Sequence, residues 1–218
     1  MRFGVVRFPG SCDERDALLA ADRVGEADFL WHADPDLHGV DAVIVPGGFS
    51  YGDYLRVGAI ARFAPVMASV LAFARDGGPV LGICNGFQVL CEAGLLPGAL
   101  LPNTSLRFVC RQVEVEVVNP DTAFTRACAR GDRLSIPVKH TTGRFYSPGP
   151  LDERQVVLRY APGQNPNGSQ DDIAGVSNAA GNVLGLMPHP EHAVDPLTGS
   201  ADGLKLFESV AIEPAVPA

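Results

Sequence analysis

The chain lacks any pair of cysteines at a spacing that binds zinc or marks a disulfide framework. Its five cysteines stand at positions 12, 84, 91, 110 and 128. Because their number is odd and no C-x-x-C pair occurs, neither a disulfide scaffold nor a four-cysteine zinc site is expected. The reducing cytoplasm is therefore the predicted location.

A surplus of basic charge and a long apolar run are also missing. Lys and Arg number 17 against 25 Asp and Glu, which gives a net charge of −8. This balance argues against nucleic acid or an anionic membrane as the main partner. Segment 1–19 has only a short apolar run that acidic residues soon follow, so neither a signal peptide nor a membrane span is expected. No G-x-G-x-x-G or P-loop motif occurs, which argues against a dinucleotide or ATP site of these types.

Short apolar runs alternate with amphipathic segments in the first half of the chain. Strands are predicted at 2–8, 29–32, 41–45 and 80–83, and helices at 13–25, 60–76 and 85–93. Strands that alternate with helices in this way indicate a parallel, doubly wound α/β sheet.

The second half of the chain has a different pattern. Segment 109–118 alternates apolar and polar residues, which is typical of a strand with one face in water. Further strands are predicted at 133–138, 156–160, 173–177 and 182–187, and a last helix at 204–210. We expect these strands to be antiparallel additions to one side of a mostly parallel sheet. One domain over 1–210 is predicted, with 211–218 as a disordered tail.

The segment 82–86, Gly-Ile-Cys-Asn-Gly, follows a buried strand and precedes a helix. This is the pattern of a nucleophile elbow, with cysteine in the place of serine. The flanking glycines leave room for a crowded turn, and the start of a helix favours the thiolate of Cys84. The backbone N–H of Asn85 is placed to bind an oxyanion. The alternative is a core cysteine in a tight turn. Cys91 is the contrast, because it stands inside the helical pattern without flanking glycines, and we interpret it as a core residue.

A cysteine nucleophile requires a base, and His189 is the strongest candidate among five histidines. It follows the predicted strand 182–187, and Glu191 stands two residues later. In an extended chain both side chains project to one side, so the carboxylate can orient the imidazole and stabilise its charged form. The alternative is a surface turn with incidental charges. His192 forms an H-x-x-H pair with His189, but no third ligand is suggested nearby and no metal site is predicted.

The third predicted strand ends in a glycine loop (residues 46–53, Pro-Gly-Gly-Phe-Ser-Tyr-Gly-Asp). Ligands of open α/β sheets bind beyond the carboxyl ends of the strands. We therefore expect this loop to share a rim with Cys84 and to supply a second oxyanion donor. The alternative is a plain strand-to-helix turn.

These segments together resemble the class I (triad) glutamine amidotransferases. More narrowly, they resemble the glutaminase subunits of phosphoribosylformylglycinamidine synthases, which act in de novo purine synthesis. The resemblance extends over nearly the whole chain, to about Val210. Its main segments are PGGFSYGDYLRVGAIARF (46–63), PVLGICNGFQVL (79–90), DIAGVSN (172–178), NVLGLMPHPE (182–191), GSADGLKLF (199–207), and the shorter 9–13 and 94–100. Segment 46–63 is the most specific, since other amidotransferases share its double glycine but not the residues after it.

The resemblance implies a flavodoxin-like class I amidotransferase fold and the hydrolysis of L-glutamine. Cys84 would be the nucleophile, and His189 and Glu191 would complete the triad. The implied partners are L-glutamine, a large formylglycinamidine ribonucleotide synthetase subunit and a small third subunit, with no nucleic acid and no membrane. No cofactor is implied in this chain, because the synthetase subunit uses ATP and Mg²⁺.

Three further residues receive roles from the same resemblance. Gly48 and Phe49 would lie on the oxyanion side, opposite Asn85. Gln88, one helical turn after the nucleophile, would face the glutamine pocket, and a purely structural role for it is the alternative.

The chain departs from the family pattern in two places. Residues 140–145 read His-Thr-Thr-Gly-Arg-Phe, whereas the family usually has His-Gly-Glu-Gly-Arg/Asn-Phe, so Thr141 and Thr142 replace a glycine and an acid. His192 stands where arginine is common, which removes a constant positive charge near the triad.

Two other functions fit the same fold. A stand-alone cysteine hydrolase, such as a γ-glutamyl peptidase, would turn over rapidly without a partner, and segment 46–63 argues against it. A non-catalytic binding module would not need an intact elbow together with an intact His-Pro-Glu sequence.

Overall fold

The computed structural model describes residues 1–212, which form eleven strands and four α-helices. The strands are β1 (Arg2–Arg7), β2 (Glu26–Trp31), β3 (Ala42–Val45), β4 (Val80–Ile83), β5 (Ala99–Leu101), β6 (Val109–Val117), β7 (Arg133–His140), β8 (Arg144–Tyr146), β9 (Val156–Tyr160), β10 (Ile173–Ser177) and β11 (Val183–Leu186). The helices are α1 (Glu14–Ala21), α2 (Pro65–Arg75), α3 (Asn85–Glu92) and α4 (Leu204–Ala211).

Nine of these strands form one sheet in the order β2-β1-β3-β4-β11-β10-β9-β6-β7. The first five strands in this order are parallel neighbours, and the last four are joined by antiparallel pairing. This arrangement confirms the prediction of a mostly parallel α/β sheet with antiparallel additions on one side. Strands β3, β4 and β11 are buried throughout, as expected of strands that are covered on both faces.

Strand β6 shows the predicted contrast between its two faces. Val113, Val115 and Val117 are buried, whereas Gln112 and Glu114 are exposed. Its partner β7 lies at the edge of the sheet and continues two residues beyond the predicted end, through Lys139 to His140. This extension brings β7 to the candidate site.

The predicted helix 60–76 is wrong in one respect, because it is interrupted. A 3-10 turn at Ala61–Phe63 is followed by Ala64 in an extended conformation, and α2 begins only at Pro65. Proline disfavours a helical conformation in the residue before it and fits the first position of a helix. The proline therefore separates the two pieces.

The last helix ends at Ala211, one residue past the predicted boundary. From residue 213 onward, the predicted disordered tail lies outside the described residues. Within residues 1–212, no helix has the length and apolar character needed to cross a bilayer.

Candidate active site

Cys84 occupies a strained turn between β4 and α3. Its backbone has φ 51° and ψ −103°, a conformation that non-glycine residues adopt rarely and at an energetic cost. Both flanking positions require glycine because other backbone atoms approach them closely. A Cβ at Gly86 would overlap the carbonyl oxygen of Val45, and a Cβ at Gly82 would lie 2.9 Å from the carbonyl oxygen of Gly86. The local backbone therefore has the crowding expected of a nucleophile elbow.

His189 and Glu191 form a buried pair a few residues after the end of β11. The distance from His189 Nδ1 to Glu191 Oε1 is 2.6 Å, and their side chains are 1% and 0% exposed. Burial by itself lowers the pKa of His189, but the Glu191 carboxylate and the Cys84 sulfur outweigh it and raise the pKa to about 10. The imidazole therefore favours its protonated form beside the cysteine.

Cys84 and His189 line the same cleft. Among the sequence-predicted residues, Gly48, Phe49 and Gln88 also line it. His140 lines the cleft as a second histidine, but burial and the charge of His189 lower its pKa to about 4. His189 is therefore the cleft histidine suited to holding a proton at neutral pH.

The glycine loop reaches the cleft, although one of its amides is already in use. The N–H of Phe49 donates to the carbonyl oxygen of Gly10 at 2.8 Å, while the side chain is exposed at the cleft. Gly48 has φ 144°, and a Cβ there would lie 2.6 Å from the backbone nitrogen of Cys12. Asn85 is the first residue of α3, so its N–H has no carbonyl partner within the helix.

Hydrogen bonds from the side chains of Asn85 and Gln88 connect α3 to the glycine loop and to Thr142. Asn85 Oδ1 accepts a hydrogen bond from the N–H of Ser50 at 3.1 Å, and Asn85 Nδ2 donates to Gln88 Oε1 at 3.0 Å. Gln88 Nε2 donates to the carbonyl oxygen of Thr142 at 2.6 Å. Both ends of the Gln88 amide are thus bound within the protein, which favours its structural role.

The segment that departs from the family pattern is held by backbone groups rather than by an acid. Thr142 binds Gln88 through its carbonyl oxygen, and the carbonyl oxygen of Thr141 accepts from the N–H of Asn103 at 2.8 Å. These contacts anchor Thr141 and Thr142 in the wall of the cleft.

Asp13 and Lys139 are two residues of the site that the sequence analysis did not identify. Asp13 Oδ2 lies 3.7 Å from His189 Nδ1, and Lys139 Nζ is hydrogen-bonded to Asp13 Oδ1. His192 Nε2 lies 3.2 Å from Asp13 Oδ1 and 2.9 Å from Lys139 Nζ. Burial raises the pKa of Asp13, but His192, His189 and Lys139 together hold it well below its usual range. Lys139 therefore supplies a fixed positive charge to the site.

These side chains also form the one group of metal-ligand type found among residues 1–212. Ligand atoms of Asp13, His189, Glu191 and His192 lie within 4.8 Å of one another, so the H-x-x-H pair does have further candidate ligands nearby. The Lys139 ammonium, however, is bound within the same group. Its charge opposes a divalent cation there and favours a network of ion pairs.

Comparisons with known proteins identify the family. A family model described as a CobB/CobQ-like glutamine amidotransferase domain matches residues 1–203. The phosphoribosylformylglycinamidine synthase subunit PurQ of Rubrobacter xylanophilus is 62% identical over 216 residues, covering 96% of this chain and 97% of that protein. The corresponding subunit of Mycolicibacterium paratuberculosis is 60% identical, covering 96% of each chain.

Solved structures give the same result. A chain in the structure of PurLQS from Thermotoga maritima has a TM-score of 0.90 and 46% identity, covering 96% of this chain and 97% of that chain. A glutamine amidotransferase from the same organism shares the fold, with a TM-score of 0.62 at 18% identity over 97% and 96% of the two chains. The chain therefore belongs to the family of glutamine amidotransferase subunits of phosphoribosylformylglycinamidine synthase, which serve purine biosynthesis.

Proposed function

We propose that this chain hydrolyses L-glutamine to glutamate and ammonia through the triad Cys84, His189 and Glu191, and that the ammonia passes to a synthetase subunit. The observation that carries the proposal is that a strained, buried cysteine lines the same cleft as a histidine whose Nδ1 lies 2.6 Å from a buried carboxylate. Nucleophile, base and orienting acid are the parts that acyl transfer by a cysteine requires.

The first half of the reaction forms a thioester. The Cys84 thiolate attacks the side-chain amide carbon of glutamine and gives a tetrahedral oxyanion. Protonated His189 then donates its proton to the nitrogen as the carbon–nitrogen bond breaks, and ammonia leaves. The raised pKa of His189 supports this step, because it favours an imidazolium beside a thiolate.

The second half returns the enzyme to its starting state. Neutral His189 takes a proton from water, and the resulting hydroxide attacks the γ-glutamyl thioester. The carbon–sulfur bond breaks, and glutamate leaves with Cys84 again a thiolate. Glu191 balances the charge that the imidazole regains.

Two backbone amides are the proposed oxyanion donors, one from each side of the elbow. The N–H of Asn85 begins α3, and the N–H of Gly48 belongs to the glycine loop that lines the cleft. Phe49 contributes its ring to the wall of the cleft, because its amide already donates to Gly10. Loss of one such donor typically lowers the rate about 10²- to 10³-fold.

The proposed partner is the large synthetase subunit that makes formylglycinamidine ribonucleotide, together with a small third subunit. The similarity to a chain of the Thermotoga maritima PurLQS structure supports this assembly. We further propose that the partner uses ATP and Mg²⁺, that this chain needs no metal or cofactor of its own, and that the complex acts in the cytoplasm. Neither nucleic acid nor a membrane is a proposed partner of this acidic chain.

The test is ammonia release from glutamine by the wild type and by Cys84→Ala, with and without the synthetase. We expect Cys84→Ala to abolish release and to prevent labelling by a glutamine-analogue electrophile. Cys91→Ala is the matched control, because Cys91 lies in α3 seven residues later and should not affect turnover. Full activity of Cys84→Ala would reject the triad. Rapid hydrolysis in the absence of the synthetase, together with poor use of free glutamine, would favour a stand-alone hydrolase. A wild type that stays inactive when the synthetase is present would favour a binding module.

A further inference from the structure

His189 faces two carboxylates rather than one. Its Nδ1 lies 2.6 Å from Glu191 Oε1 and 3.7 Å from Asp13 Oδ2. The side chain of Asp13 is 6% exposed, and that of Glu191 is fully buried. Two buried anions therefore converge on the single Nδ1–H of an imidazole whose orientation, under the triad proposed above, controls the reaction.

A second anion at this distance has two consequences if it is not neutralised. It repels Glu191, because like charges in a buried site interact strongly. It also offers the Nδ1–H an alternative acceptor, so the ring could turn away from the geometry in which Nε2 serves Cys84. A misplacement of about 1 Å can cost an enzyme about 10²-fold in rate.

Lys139 is placed to remove both effects. Its Nζ is hydrogen-bonded to Asp13 Oδ1, the oxygen that does not face His189 Nδ1, and lies 2.9 Å from His192 Nε2. The lysine belongs to β7, and its own carbonyl oxygen lies 3.8 Å from Cys84 Sγ. The same strand residue therefore contacts the nucleophile through its backbone and the second carboxylate through its side chain.

We propose that Lys139 is a positioning residue for the triad. Its ammonium neutralises Asp13, so that Glu191 alone receives the Nδ1–H of His189 and holds the imidazole for Cys84. His192 is the second donor to Asp13 Oδ1, but its charge depends on protonation, whereas the ammonium charge of lysine is constant at neutral pH. This inference rests on the proposed triad and adds a residue outside it.

The competing interpretation is that the Lys139–Asp13 pair only fastens β7 to the segment before α1. The two interpretations differ when both charges are removed together. If Lys139 acts by neutralising Asp13, an enzyme that has neither charge needs no neutralisation. If the pair is a structural fastening, removing both partners is no better than removing one.

The experiment measures kcat and KM for glutamine hydrolysis in the complex with the synthetase, for Lys139→Met, Lys139→Arg and the double variant Asp13→Asn/Lys139→Met. We expect Lys139→Met to lower kcat about 10- to 100-fold with little change in KM, since orientation rather than binding is lost. Lys139→Arg and the double variant should return kcat to within about threefold of the wild type, because each leaves no uncompensated anion. Lys205→Met is the matched control, since Lys205 is the only other lysine and pairs with Asp132, and neither of these two residues lines the cleft.

Each other outcome overturns the inference. Wild-type kcat in Lys139→Met would show that the charge is not needed. A folded double variant as slow as Lys139→Met would show that the lysine does not act through Asp13. If circular dichroism shows that neither methionine variant folds, the pair is a structural fastening. A wild type that itself releases no ammonia and is not labelled at Cys84 would instead reject the triad.

Discussion

At the scale of single residues, Glu191 tests whether a buried carboxylate is needed to balance the positive charge of His189. We expect Glu191→Gln to lower kcat for glutamine hydrolysis about 10²- to 10⁴-fold, because a neutral amide cannot balance the imidazolium and does not fix its tautomer. Glu114→Gln is the matched control, since Glu114 is exposed on β6 and pairs with Arg133 at 3.6 Å. A Glu191→Gln enzyme with wild-type kcat would remove the carboxylate from the triad.

The raised pKa of His189 also predicts a dependence of stability on pH. Burial lowers this pKa, but Glu191 and Cys84 raise it from 6.5 to about 10. A group whose pKa is higher in the folded state stabilises the fold fully below its unfolded pKa and loses that contribution as pH rises through the folded value. The free energy of unfolding is therefore expected to fall between pH 6.5 and about pH 10.

Urea denaturation at several pH values within that window measures the effect. His189→Gln should show a smaller fall than the wild type, because it has no proton to lose at this position. Equal slopes for the two proteins would mean that His189 does not carry the raised pKa.

At the scale of elements, the contact between α3 and β3 depends on Gly86. A Cβ at this position would overlap the carbonyl oxygen of Val45, so Gly86→Ala must displace the start of α3 and the Cys84 turn. We expect a loss of about 1–3 kcal/mol in the free energy of unfolding and a large loss of activity. Gly149→Ala is the control, because a Cβ there meets nothing within 4 Å. Urea denaturation of both variants measures their free energies of unfolding, and equal values would contradict the prediction.

The elements also explain how much of the site the sequence could predict. Cys84 and His189 both follow apolar strands, and the ends of parallel strands share one edge of a sheet, so local pattern was enough to bring them together. Asp13 and Lys139 were missed for a physical reason. Lys139 stands 126 residues after Asp13, at the end of an edge strand in the antiparallel half. Its position depends on the pairing of β7 with β6, which no local pattern specifies.

At the scale of the whole molecule, the site joins the two halves of the sheet. Cys84 and His189 come from the parallel half, at β4 and β11, while Lys139 and His140 come from β7 in the antiparallel half. The resemblance to a known family predicted the reaction. The contact between Asp13 and Lys139, which brings the two halves of the sheet together, could be seen only in the folded chain.

The division of labour between subunits gives a prediction for the assembled enzyme. If this chain only releases ammonia, and the synthetase subunit carries out the ATP-dependent step, then a complex that contains Cys84→Ala should make no product from glutamine. It should still make product from added ammonium chloride at a rate close to that of the wild-type complex, because the supplied ammonia replaces what the triad would release. Product formation with each nitrogen source is the measurement, and size-exclusion chromatography establishes that the variant complex assembles. Loss of the ammonium-dependent reaction in an assembled complex would mean that this chain takes part in the synthetase chemistry itself.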